Sequence, residues 1–182
     1  MIRIFLSHYI DLTIKKIKAH CANALTILNL SLGVLAILAI LNGESQLGLL
    51  LIFIAAFADR FDGMIARKLK IDSEFGKQLD SMCDIVSFGV APALLMYELL
   101  LRDFGAAGML FTTIYIACGA IRLAKFNIIE SNGYFTGLPI TVAGVILTLV
   151  TLAINLLPPY IFMYITLTLA FLMVGTFKLR KM

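Results

Sequence analysis

Six apolar stretches follow one another along this chain, at residues 23–41, 46–68, 76–101, 105–127, 137–157 and 159–178. That pattern constrains the fold more than any motif does. A helix that crosses the hydrocarbon core of a bilayer needs about 20 predominantly apolar residues, and each stretch supplies close to that length. The breaks between them fall at 42–45, 71–75, 102–103, 128–136 and 158–159, short enough to leave sequential helices as antiparallel neighbours. Hydrophobic residues make up 61% of the chain and charged residues 14%, against roughly 45–50% and about 25% in soluble domains. The expected fold class is an all-α integral membrane protein, with six transmembrane helices in one domain over residues 1–182 and no separate soluble part.

Residues 2–18 have a different character. Ile2, Phe5, Leu6, Tyr9, Ile10, Ile14 and Ile17 recur at helical spacing among Arg3, His8, Asp11, Lys15, Lys16 and Lys18. This is the pattern of an N-terminal amphipathic helix lying in the membrane interface, with His8 and His20 as interfacial side chains. The first long apolar run begins near Ala22 and exceeds the about 7–15 residues of a cleavable signal core, so it is expected to be retained as a span.

The cations supply an orientation. With the amino terminus inside, twelve Lys and Arg residues fall at inner ends: Lys15, Lys16, Lys18, Arg67, Lys68, Lys70, Lys77, Arg122, Lys125, Lys178, Arg180 and Lys181. The outer breaks carry only Arg102. This bias predicts that both termini face the cytoplasm. The net charge of +4 is therefore a topology signal, and with no basic stripe interleaved with aromatics no nucleic-acid partner is expected. Cys21, Cys83 and Cys118 show no C-x-x-C spacing and read as packing residues of a protein in a reducing compartment.

Against this background, DRFDGMIARKLKIDSEFGKQLDSMCD at residues 59–84 stands out. Asp59 and Asp62 are three apart and Asp80 and Asp84 four apart, so each pair shares a helix face. A tight turn containing Asp72 and Ser73 joins the two helices, and a hairpin brings the four carboxylates together at its cytoplasmic end. Four negative charges at such distances repel strongly and stay ionised together only if cations bridge them. Oxygen ligands without His or Cys favour Mg²⁺ or Mn²⁺. Four carboxylates suit two ions about 3.5–4 Å apart, an arrangement that supports displacement at phosphorus. Gly63, Ala66 and Gly76 leave room for a bulky ligand, and Arg67 offers a planar cation to a phosphate. Together they describe a nucleotide or diphosphate site.

Asp59, Asp62, Gly63, Ala66, Arg67, Gly76, Asp80 and Asp84 match, at every defined position, the signature of the CDP-alcohol phosphatidyltransferase family, which this chain resembles. The resemblance implies a six-helix membrane enzyme, usually a homodimer, with its active site facing the cytoplasm. Such enzymes transfer a phosphatidyl-type group from a CDP-linked lipid to an alcohol and release CMP. The stretches SFGVAPALL at 87–95, CGAIRLAKFNI at 118–128 and GLPITVAG at 137–144 are most similar to the members that use L-serine as acceptor and CDP-diacylglycerol as donor. The resemblance implies Asp59, Asp62 and Asp80 as principal metal ligands. It implies Asp84 near a second metal and as the base for the acceptor hydroxyl, and Gly63, Ala66, Arg67 and Gly76 around the cytidine and phosphates. Asn23 and Thr26 match an N-x-x-T pattern common in the family and are further candidates for the nucleotide.

Serine presents a carboxylate and an ammonium, so its pocket needs a cation. Arg122 at the inner end of the fourth span is the candidate clamp, with Lys125 and Asn127 assisting. A glycerol 3-phosphate or inositol phosphate acceptor would also want cations there, and the residues alone do not choose between them. Pro92 in the third span frees the carbonyl of Phe88 and is expected to shape the cavity beyond Asp84. Gly105, Gly108, Ala117 and Ala120 are small enough for close helix packing. A cation-coupled transporter is the rival reading, but spans 2 and 3 become apolar beyond the aspartates (LLLIFIAAF and APALLMY), which argues against a through-path.

Overall fold

A computed structural model describes residues 23–69, 74–128, 134–175 and 178–180. Among them, helix α1 (Asn23–Leu41) is followed by α2 (Ser45–Leu69) and α3 (Glu74–Asp84). The helix continues through a π-helical stretch, Ile85–Val90, into α4 (Ala91–Leu99), so α3 and α4 form one rod. A 3₁₀ turn (Leu101–Phe104) leads to α5 (Ala106–Ile128). Then come strand β1 (Tyr134–Thr136), α6 (Ile140–Val150) with a 3₁₀ extension (Thr151–Ala153), α7 (Pro159–Val174) and strand β2 (Lys178–Arg180). The predicted amphipathic helix at 2–18 lies outside the described residues.

Three rods are long and apolar enough to cross a membrane: Asn23–Leu41, Glu74–Leu99 and Ala106–Asn127. Helix α2 has 25 residues but carries Asp59, Arg60, Asp62, Arg67 and Lys68 in its second half. The last two rods are apolar but shorter than the runs at 137–157 and 159–178 suggest, at Ile140–Ala153 and Pro159–Val174. The reasons are local. Gly137 takes a positive φ of 76° and Pro139 occupies the N-cap of α6, so helix starts only at Ile140. Gly175 caps α7, its N–H donating to the Phe171 carbonyl. The chain beyond it pairs as a strand, Phe135 opposite Leu179 in an antiparallel two-stranded ribbon. The 128–136 break is thus not wholly irregular, since strand β1 occupies its last three positions, and among the described residues the fold is helical apart from this ribbon.

Tight turns are built from small residues. Gly43 closes α1 with a φ of 82° while Glu44 N–H reaches the Ala39 carbonyl at 2.9 Å, the left-handed termination that glycine permits. Gly108 gives way to the Leu101 backbone, so this small residue packs α5 against the preceding turn of its own chain.

One core is built on Phe88, Tyr115, Ile140, Leu147, Phe162 and Met173, and a smaller one on Ala36, Ile40, Ile52, Ala91 and Leu95. The π stretch lies at the centre, against α2, α3, α4, α5 and α6. Pro92 has no N–H to bond the Phe88 carbonyl. The Ala91 N–H instead reaches the Val86 carbonyl, and the Tyr115 hydroxyl donates to Phe88 O at 3.4 Å. Outward faces are apolar: Leu50, Ile54, Phe57, Phe61 and Met64 form an exposed stripe along α2, which suits hydrocarbon, not water. The chain is a membrane protein.

Candidate active site

Two helices carry the acidic signature to one place. Asp59 is half-buried on α2, Asp80 half-buried on α3, and Asp84 buried at the end of α3. One carboxylate oxygen from each of the three lies within 4.8 Å of the others. Asp59 is hydrogen-bonded to the Asp84 side chain and feels the charge of Asp80. Carboxylates meet this closely only with a shared proton or a bridging cation between them. The backbone of Asp62, Ala66 and Arg67 belongs to α2, but their side chains lie outside the described residues. Gly63 and Gly76, both half-buried, flank the cluster in sequence on α2 and α3.

The donor set fits a hard divalent cation. Three carboxylates from two antiparallel helices offer only oxygen, with no thiolate or imidazole among the described residues of the group, and this is the ligand preference of Mg²⁺, Mn²⁺ or Ca²⁺.

Arg122, on α5, adds the only cation held against this cluster among the described residues. It is 9% exposed, and Asp84 is the charge that acts on it. Its guanidinium lies 5.4 Å from the centre of the Phe126 ring, one turn further along the helix, within cation–π range. Burial beside an aromatic restricts a side chain that would otherwise have many rotamers, and holds it within the electrostatic reach of Asp84.

Lys125 is exposed. Asn127 is also exposed, yet it joins α5 to α3: its Nδ2 donates to Ser81 Oγ at 3.1 Å and to Gln78 Oε1 at 3.4 Å. Ser81 in turn donates to the Lys77 carbonyl at 3.0 Å. Ser81 sits between Asp80 and Asp84 on α3, so this bridge holds the segment bearing both aspartates against the end of α5.

Helix α1 meets the rod just past Asp84. Ser87 Oγ donates to the Asn29 carbonyl at 3.1 Å, and a side chain at Gly33 would collide with Ser87. Thr26 is 7% exposed and Asn29 fully buried on the same face of α1, with Asn23 half-buried one turn before. Asn29, Ser87 and Tyr115 are not singled out by the motifs. The available signal for Asn29 was the continuation of Asn23 and Thr26 at a spacing of three into an otherwise apolar run, since polar groups inside spans are costly to keep.

The geometry is an oxygen-only acidic cluster at the mouth of a helical hairpin, with one buried guanidinium beside it. A family model described as CDP-alcohol phosphatidyltransferase matches residues 19–174. A CDP-diacylglycerol–serine O-phosphatidyltransferase of Bacillus subtilis is 41% identical over 155 residues, covering 85% of this chain and 86% of that protein. An archaetidylserine synthase of Methanothermobacter thermautotrophicus is 42% identical over 136 residues, 72% of this chain and 58% of that protein. A CDP-diacylglycerol–serine O-phosphatidyltransferase of Methanocaldococcus jannaschii is 43% identical over 122 residues, 67% of this chain and 55% of that protein. The chain thus spans nearly all of the Bacillus relative but little more than half the length of the two archaeal ones. The matched region contains all three clustered aspartates and Arg122, and the chain belongs to the CDP-alcohol phosphatidyltransferase family.

Proposed function

We propose that this chain transfers the phosphatidyl group of CDP-diacylglycerol to the hydroxyl of L-serine and releases CMP. The observation that carries the reading is the juxtaposition of Asp59, Asp80 and Asp84 with a buried arginine. The names of the relatives, two of them serine O-phosphatidyltransferases, support serine as the acceptor. The enzyme is read as one domain over residues 1–182 with six spans behind an amphipathic helix at 2–18. Both termini and the site face the cytoplasm, and two copies form a homodimer.

Asp59, Asp62, Asp80 and Asp84 would hold the divalent ions, Mg²⁺ or Mn²⁺ and two per site. When bound, these neutralise the diphosphate and stabilise the departing CMP. Gly63 and Gly76 leave space for the nucleotide, with Ala66, Asn23 and Thr26 beside it, and Arg67 pairs with a phosphate. Arg122 receives the carboxylate of serine, which brings the hydroxyl to Asp84, and Lys125 and Asn127 complete the acceptor side. Asp84 accepts the hydroxyl proton as the serine oxygen bonds to the phosphorus that bears the diacylglycerol. The bond from that phosphorus to CMP breaks. Placing the hydroxyl, the base and the phosphorus on fixed helices replaces a bimolecular encounter with an oriented one.

Purified protein supplied with CDP-diacylglycerol, Mg²⁺ or Mn²⁺, and in turn L-serine, glycerol 3-phosphate and inositol phosphate tests the reading. CMP release that depends on serine is expected. Release with glycerol 3-phosphate alone would overturn serine as the acceptor, and release with none would overturn the reaction.

A further inference from the structure

Three consecutive residues of α2 meet three different surroundings. Asp59 is half-buried and belongs to the acidic cluster. Phe61 is exposed on the lipid-facing stripe, together with Phe57 and Met64. Arg60 stands between the two and is itself exposed. Successive residues of an α-helix turn by about 100°, so Arg60 occupies the flank that separates the cluster from the hydrocarbon. Ala56 and Gly63, four before it and three after, share that flank. Both are half-buried and neither has a side chain beyond Cβ, so over these two turns Arg60 carries the one long side chain of the flank.

Among the described residues Arg60 makes no ion pair; the pairs found there are Lys77–Glu74 and Arg102–Glu98. A guanidinium is costly in hydrocarbon, and beside a lipid-facing stripe it extends to headgroup level, where phosphate is its partner. The cluster gives that cation a use. Three carboxylates repel an anion that approaches them, and the donor argued above is an anionic lipid. A lipid moving sideways from the α2 stripe to the cluster passes Arg60 first. Arg122 does not meet it there, being 9% exposed and on α5. A zwitterionic bulk lipid screens its phosphate with its own ammonium. The diphosphate of a CDP-lipid has no such counter-charge and is the better match for an unpaired guanidinium.

We propose that Arg60 is a lateral docking residue for the donor lipid, its guanidinium receiving the diphosphate of CDP-diacylglycerol at the membrane-facing edge of the acidic cluster. The inference rests on CDP-diacylglycerol being the donor, as argued above, and adds the side from which it arrives. Docking of this kind acts on capture of the lipid and not on the chemical step.

The test is CMP release by the purified full chain in neutral detergent micelles, with saturating serine and Mg²⁺ or Mn²⁺ and CDP-diacylglycerol varied as a mole fraction. Arg60→Gln is expected to lower kcat/KM for the lipid about five- to tenfold, the worth of one basic side chain against an anionic lipid. The kcat and the KM for serine should change by less than about twofold. Arg60→Lys keeps the charge and should stay within about threefold of wild type, whereas Arg60→Glu should fall below Arg60→Gln. An unchanged lipid kcat/KM in Arg60→Gln, or an equal loss in all three variants, would overturn the proposal. So would a loss confined to kcat. An effect of Arg60→Gln seen only as altered stimulation by added phosphatidylglycerol would assign the residue to bulk anionic lipid and likewise overturn it. If Arg60→Gln is not recovered folded, the other two variants decide: equal lipid kcat/KM in Arg60→Lys and Arg60→Glu overturns the proposal. Absence of CMP release from CDP-diacylglycerol by the wild-type chain would instead overturn the donor reading, and this inference with it.

Discussion

At the scale of single residues, the site depends on charges that cannot be held apart. Asp59, Asp80 and Asp84 place carboxylate oxygens within 4.8 Å, and removing one charge lowers their repulsion while removing a ligand. Asp80→Asn keeps shape and volume, so the fold should hold and melt no lower than wild type. CMP release should nonetheless fall roughly a hundredfold or more, because the lost ligand was worth several kcal/mol of charge stabilisation in the transition state. Retained activity would remove Asp80 from the metal-holding role. Arg122 differs: it feels the charge of Asp84 and lies 5.4 Å from the centre of the Phe126 ring. Arg122→Ala should raise the KM for serine about tenfold or more while the KM for the CDP-lipid stays close to its original value. Equal changes in both would make Arg122 a structural partner of Asp84. That Asp59, Asp80 and Asp84 meet on a helical hairpin was legible in the sequence because spacings of three and four on a helix are local geometry. Asn127 was legible only as a polar residue near the acceptor; that its amide bridges to Ser81 and Gln78 depends on how α5 lies across α3, which no local spacing encodes.

At the scale of the element, the decisive piece is the π stretch Ile85–Val90 that begins where Asp84 ends α3. Pro92 announced it in part, since a proline frees the carbonyl four residues earlier. The sequence could not say that Tyr115, 27 positions away, would supply the replacement hydroxyl, or that Gly144 would let α6 press on the same backbone. A Cβ at Gly144 would stand 2.6 Å from Phe88 O and 3.0 Å from Phe88 Cα. The obstructing atoms are backbone, so no rotamer change relieves the clash and either α6 or the π stretch must move. Gly144→Ala is therefore expected to destabilise the protein by about 1–3 kcal/mol, seen as a lower melting temperature. It should also reduce kcat, because a displaced Phe88 carries with it the helix that ends in Asp84. A melting temperature equal to wild type would mean that the close approach is not maintained in the membrane.

At the scale of the whole molecule, chemistry is segregated to one end. The Asn127–Ser81 bridge, the aspartate cluster and the β1–β2 ribbon all stand at ends of rods that alternate with the turns at Gly43 and Gly105. The six-span reading of the sequence divides the charges in the same way, assigning twelve Lys and Arg residues to inner ends and Arg102 alone to an outer break. The apolar runs made the rods legible, but not their ends: Gly137 and Gly175 shorten α6 and α7 through backbone geometry, which hydropathy does not report. If the cation bias sets orientation, the site opens to the cytoplasm, where both serine and CMP are soluble. Single cysteines introduced into a cysteine-free background at exposed positions check this. Glu44→Cys and Asp103→Cys, both in turns between rods and both exposed, should react with a membrane-impermeant maleimide added to intact cells. Lys77→Cys, exposed on the first turns of α3, should react only after the membrane is permeabilised. The reverse labelling pattern would place the aspartates outside and remove the argument that links them to a cytoplasmic nucleotide-lipid. Labelling of all three from outside would show that the acidic hairpin does not follow the antiparallel course of its neighbours.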